Sequence, residues 1–203
     1  MFFVGLDLGQ KVDPSAVVVV ERIECRRAFM GSSFERLVVR FVERMPLGTP
    51  YPRVVERVRR IVSSQELLGQ CVLAVDAGGV GAPVVDMLRA ARLGCSMTGY
   101  MITGGERSAG ESVAKRDLLA EVQVLMEGGK LTIGNVGELG RLTKELMDVR
   151  IITGMNGRRR MGADRSGEHD DLVIALALAC WKANAGGRGG GYSVGERSDG
   201  RLV

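Results

Sequence analysis

With 203 residues the chain has room for one domain and a tail, but not for two full-sized enzymatic modules. Hydrophobic residues at 45% and charged residues at 26% exclude wholesale disorder, and 29 glycines without a Gly-X-Y period exclude collagen. The 28 Lys and Arg against 24 Asp and Glu leave a net charge of +4, which permits a polyanionic partner without demanding one. Cys25, Cys71, Cys95 and Cys180 show no C-x-x-C spacing, and His169 is the sole histidine, so a Cys/His zinc cage lacks ligands and a reducing compartment is expected. The opening MFFVGLDLG puts Asp7 where a signal peptide needs apolar residues. The runs AVVVV and IALALAC are far too short to span a bilayer, so the expected setting is the cytoplasm, without a membrane.

In chain order, FFVGL ends in Asp7, the turn GQKVDPS follows, and AVVVVE reads as a second strand antiparallel to the first. The β-branched run at 37–42 extends these into a meander. RVVERVRRIVSSQELL carries Val54, Val55, Val58, Ile61 and Val62 at three-and-four spacing with arginines opposite, the pattern of an amphipathic helix. CVLAVD then reads as a buried strand, reached by a crossover that makes it parallel. After Asp76 the turn AGGVG leads into a helix with Pro83 near its start and Gly94 at its stop, and a strand follows at 97–102.

Residues 103–112 (TGGERSAGES) lack periodicity and predict a loop. AKRDLLAEVQVLMEGG predicts a helix, LTI a short strand and GELGRLTKELMDV another helix. MDVRIITGMNGRRRMGAD predicts a β-hairpin whose tip holds Asn156-Gly157 and the run Arg158, Arg159, Arg160. HDDLVIALALACWKANA is the last helix, and the Gly and Ser rich residues 186–203 predict a flexible tail after a domain at 1–185. The class is α/β, with the meander opening a mixed sheet flanked by helices.

Three acidic positions stand out: Asp7 and Asp76 at strand ends, and the pair Asp170-Asp171 opening the last helix. Taken singly, each reads as a turn former or an N-cap. If the first and fourth strands are neighbours, however, Asp7 and Asp76 stand side by side, and a helix crossing the sheet can add a third carboxylate. Carboxylates that close repel unless a cation lies between them, and an all-oxygen set favours Mg²⁺ or Mn²⁺. Arg158, Arg159 and Arg160, with Lys115 and Arg116 at a helix start and Lys11 in the first hairpin, are placed to neutralise phosphates flanking such a centre. His169 fits either proton transfer or capping.

GLDLGQKVDPSAVVVV, AVDAGGVGAPVVDMLR, the KRDLL helix and HDDLVIALALACW together resemble the C-terminal nuclease domain of phage large terminase subunits, a ribonuclease H-like fold. The resemblance covers residues 3–183. It implies a mixed central sheet flanked by helices, and a metal-dependent endonuclease that cuts duplex, concatemeric viral DNA during genome packaging. It also implies two divalent ions, Mg²⁺ or Mn²⁺, held by Asp7, Asp76 and Asp171 or Asp170 with Asp13 nearby, one ion acidifying water and one stabilising the leaving 3′ oxygen. By the same resemblance the partners are duplex DNA, a terminase ATPase domain, the small terminase subunit and the portal protein, in the host cell cytoplasm.

The chain has no room for a packaging ATPase, so the expectation is an excised domain or a separately encoded nuclease. GERSAGES at 105–112 has P-loop spacing, but Glu111 stands where the phosphate-binding lysine belongs and would repel triphosphate. A Holliday-junction resolvase of the same superfamily and a non-catalytic DNA-binding or portal-docking module are the alternative readings. An actin-like sugar kinase would need a second nucleotide-binding half.

Overall fold

The computed structural model describes residues 1–26, 33–79, 81–105, 108–153, 159–163 and 169–185. The polypeptide begins with an antiparallel meander of β1 (Phe2–Asp7), β2 (Ala16–Arg26) and β3 (Ser33–Arg44). Helix α1 (Tyr51–Val62) crosses to β4 (Cys71–Asp76), which lies parallel to β1, and α2 (Gly81–Ala90) crosses to β5 (Ser96–Thr103), parallel to β4. Then follow β6 (Ser112–Ala114), α3 (Lys115–Glu127), β7 (Leu131–Ile133) and α4 (Leu139–Asp148). The hairpin β8 (Val149–Thr153) and β9 (Arg159–Ala163) precedes the last helix, α5 (Asp171–Ala185). The main sheet has seven strands in the order β6-β5-β4-β1-β2-β3-β7, so the α/β class and the mixed sheet are as expected. Among the described residues no helix is long and apolar enough to cross a membrane.

Strand alternation sorts side chains onto two faces. Val4, Leu6, Val17, Val19, Leu73 and Val75 pack with α1 and α2 on one face. Phe3, Val18, Val20, Val39 and Ala74 pack with α3 and α5 on the other. Helix α5 is buried all round from Leu172 to Cys180 because it lies between the sheet and helices α3 and α4, which is why its sequence shows no polar face.

Gly5 sets how closely α5 approaches. A Cβ there would lie 1.8 Å from the Ala175 carbonyl oxygen and 2.9 Å from the Ala179 amide nitrogen, both rigid backbone. Gly5 precedes Asp7 by two residues on the same strand face, and Ala175 follows Asp171 by about one helical turn. The contact therefore spaces the two acids. Gly5→Ala is expected to cost about 3 kcal/mol through overpacking and to push Asp171 away from Asp7. Urea unfolding checks the first effect, and a parent-like midpoint would contradict it.

Three local expectations are corrected. The amphipathic helix stops at Val62 rather than running through Leu68, because the Ser63 and Ser64 amides turn back to the Arg59 and Ile61 carbonyls. The stretch at 103–112 is not all loop: Ser112 opens β6, which pairs parallel to β5. Arg159 and Arg160 do not sit at the hairpin tip but begin β9, opposite Thr153 and Ile152. Asn156, Gly157, Arg158 and the tail at 186–203 lie outside the described residues.

Candidate metal centre

The parallel register of β1 and β4 runs to Leu6 opposite Val75, so Asp7 and Asp76 occupy the next step, at the carboxyl ends of neighbouring strands. Since Leu6 and Val75 face α1 and α2, alternation turns both acids toward α5. That helix begins at Asp171, with Asp170 before it as the residue whose carbonyl accepts the Ile174 amide. Asp76, Asp171 and Asp170 are thus brought near enough to Asp7 to interact with it electrostatically. Burial, followed by repulsion from Asp76, Asp171 and Asp170, raises Asp7 well above the ordinary carboxylate range, and only Lys115 pulls it back. Asp76 is likewise raised by burial, although its carboxylate accepts the Gly78 amide at 2.8 Å and Lys115 opposes the shift.

Lys115 is a cation beside Asp7, Asp76 and Asp170. It heads α3, and its Nζ donates to Asp170 Oδ2 at 2.5 Å. Its neighbour Arg116 lies 3.3 Å from Asp117. Ser108 supports the start of α3 by donating to Asp117 at 2.8 Å and accepting the Ala114 amide at 2.9 Å. The stretch with P-loop spacing therefore positions Lys115.

The fifth acid arrives on the β1–β2 loop. The buried Ser15 hydroxyl donates to the Gly9 carbonyl at 2.8 Å and accepts the Gly9 amide at 3.2 Å, closing the loop, while Gly9 passes so close to the Asp13 carbonyl that a Cβ would lie 2.1 Å away. The exposed Asp13 meets His169 Nδ1 at 3.0 Å, and Asp171 Oδ2 lies 3.9 Å from the same nitrogen. One ligand atom from each of these three residues lies within 4.8 Å of the others.

Two further residues, Arg44 and Glu145, complete the centre, and no sequence pattern pointed to them. Glu145, buried on α4, accepts the Leu172 and Val173 amides at 3.0 and 3.3 Å, capping α5 from another helix. Arg44, at the end of β3, is ion-paired with Glu145 and stands 3.3 Å from Asp171 Oδ2. That Oδ2 is buried yet accepts no hydrogen bond, which leaves it free to ligate a cation. Burial raises Glu145 to about 7 against the pull of Arg44, and raises Asp171 to about 6, with Arg44 opposing and Asp13 adding to the rise. The donor set is carboxylate oxygen plus one imidazole, and with an unsatisfied buried oxygen and mutually repelling acids it fits a hard divalent cation.

The raised values give the metal-free protein a specific pH dependence. Asp171 and Glu145 hold protons in the folded state at pH values where the unfolded chain, near 3.8 and 4.5, has lost them. Their contribution is fully present below about pH 4 and is lost as pH rises through about 6 and 7. Unfolding free energy in EDTA should accordingly fall by on the order of 2 kcal/mol between about pH 5 and pH 8. Urea midpoints at the two pH values check this, and a midpoint that rises with pH would contradict it.

No family model matches the sequence, and a search of curated proteins finds no match. Solved structures do match. The large terminase nuclease of thermophilic phage G20c with bound magnesium superposes with a TM-score of 0.62 at 25% identity, over 90% of this chain and 81% of that one. The fold is that of large terminase nuclease domains. The same terminase fold recurs at 16% identity in the nuclease domain of the large terminase subunit of bacterial virus Sf6, solved with manganese and β-thujaplicinol (TM-score 0.61, 88% of this chain and 87% of that one). It recurs again at 15% identity in the large terminase nuclease domain of bacteriophage SPP1 with bound manganese (TM-score 0.53, 90% and 86%). This terminase-type sheet is ribonuclease H-like, and it carries the acids at the carboxyl ends of its central parallel strands.

Proposed function

We propose that this chain is a metal-dependent endonuclease that hydrolyses phosphodiester bonds of duplex DNA during viral genome packaging. The observation that carries the reading is the meeting of Asp7, Asp76, Asp170 and Asp171 at one end of the sheet, in a fold whose 25% identical relative was solved with magnesium. Asp7, Asp76 and Asp171 or Asp170, with Asp13 and His169 nearby, would hold two divalent ions, Mg²⁺ or Mn²⁺. Ions held there would supply Lewis acidity toward phosphate and lower the pKa of water.

The chain's own residues then have separate tasks. Lys115 balances the charge of the acids from its pairing with Asp170, and would be placed to meet a phosphate oxygen beside them. His169, with Nδ1 against Asp13, is placed to exchange a proton with solvent beside Asp171. Arg44 and Glu145 hold the first turn of α5 so that Asp171 stays aimed at Asp7. In packaging, the partners would be a terminase ATPase domain, the small subunit and the portal, in the host cell cytoplasm.

Supercoiled plasmid incubated with the protein tests the reading. Nicking and linearisation in Mg²⁺ or Mn²⁺, abolished by EDTA and showing little sequence preference, are expected, since phosphate contacts carry no sequence information. DNA left intact at every metal concentration would refute the nuclease assignment. Changing Arg158, Arg159 and Arg160 together to Ala should weaken DNA binding uniformly and flatten its salt dependence, because fewer counterions are released. Parallel log-log slopes for parent and variant would mean that the DNA lies elsewhere.

A further inference from the structure

At the opposite end of the same parallel strands lies a second cluster of reactive side chains, unrelated to the acids. Val72 of β4 pairs with Ser96 of β5, so the preceding residues, Cys71 and Cys95, are register neighbours at the amino ends of adjacent strands. Alternation places Cys71, Leu73 and Val75 on the face toward α1 and α2, and Cys95 and Met97 share that face. Neighbouring strands run about 4.8 Å apart, which lies inside the Cα separation that a disulfide spans. Cys71 is buried, whereas Cys95 is half-exposed in a surface cavity of about 530 Å³ lined by Leu88, Arg89, Arg92 and Met97.

We propose that Cys71 and Cys95 form a reversible oxidation site, in which a peroxide converts the two thiols into a disulfide that ties β4 to β5. The asymmetry of the pair assigns the roles. Cys71 is buried and its thiol donates to the Val62 carbonyl at 3.9 Å, whereas Cys95 is only half-buried, and the proximity of the two sulfurs lowers the Cys95 thiol and raises that of Cys71. Cys95 also faces the cavity that Arg89 and Arg92 line, so it is the sulfur that peroxide reaches.

In the first step the Cys95 thiolate attacks one peroxide oxygen, the O–O bond breaks, and Cys95 becomes a sulfenic acid as the other oxygen leaves as water. In the second, the Cys71 sulfur attacks the Cys95 sulfur, the S–O bond breaks, and the hydroxide departs with the Cys71 proton as a second water. Two thiols lose two electrons in total, and one peroxide becomes two waters. The site lies about 17 Å along β4 from Asp76, so it is separate from the metal centre.

Hydrogen peroxide applied to the full chain carrying Cys25→Ser, followed by thiol titration and peptide mapping, tests the proposal. Of the chain's four cysteines, Cys71 and Cys95 should be lost together as one cross-linked peptide, Cys180 should persist, and dithiothreitol should restore both thiols. With Cys71→Ser, or Cys71→Ala if the serine variant does not fold, Cys95 should instead stop as a sulfenic acid that dimedone traps. Retention of all thiols by the folded protein, or oxidation of Cys95 without cross-linking to Cys71, would overturn the proposal.

Discussion

Asp7→Asn is expected to lower DNA cleavage by about a thousandfold or more while making the metal-free protein more stable than the parent. Both effects follow from the same position. Asp7 is buried among Asp76, Asp171 and Asp170, and these surroundings raise its pKa, so an ionised carboxylate there opposes folding until a cation arrives. Asparagine keeps the shape and removes the charge, relieving the repulsion. The same change removes a carboxylate that would hold the metal, and metal stabilisation of the transition state amounts to several kcal/mol, about three decades of rate. Asp76→Ala and Asp171→Ala should lose activity similarly without unfolding the chain. Plasmid cleavage rates and urea midpoints measured on the same preparations separate the effects. A fully active Asp76→Ala protein would remove that residue from the site.

Glu145→Ala is expected to cost about 3–5 kcal/mol, among the largest losses for any single side chain here. Truncation leaves the Leu172 and Val173 amides without an acceptor and strands the mostly buried Arg44 beside Asp171. Arg44→Ala should cost less, because Glu145 keeps both amides. The double variant should cost less than the sum of the two singles, with a coupling of about 1–3 kcal/mol, since neither charge is then left alone. Urea unfolding of the four proteins measures that coupling, and strict additivity would mean that the ion pair does not hold α5.

The sequence made the acidic end of the molecule legible because its acids sit where strand and helix patterns stop. Asp7 ends one apolar run, Asp76 ends another, and Asp171 begins an unbroken third, so each boundary can be read locally. The partner relations were not local. Glu145 reads as an ordinary residue of an amphipathic helix, and its contact with Arg44 spans 101 positions. Lys115, expected to contact phosphate, also pairs with Asp170 across 55 positions, which no spacing reveals. Strand β6 is three residues long, too short for any period to show. Asn156-Gly157 is a turn signal that predicts the arginine run at a tip, yet the register of β8 and β9 draws Arg159 and Arg160 into a strand. Cys71 and Cys95 looked unrelated in sequence, and only the parallel pairing of β4 with β5 makes them neighbours.

These carboxylates are expected to share a metal. A crystal of the protein soaked in Mn²⁺, with diffraction collected to identify manganese by its anomalous signal, tests it most directly. Manganese bound by Asp7 together with Asp76 and Asp171 or Asp170, at oxygen distances of roughly 2–2.5 Å, with Lys115 displaced from Asp170, is expected. Manganese found only at sites that do not include Asp7 would contradict it.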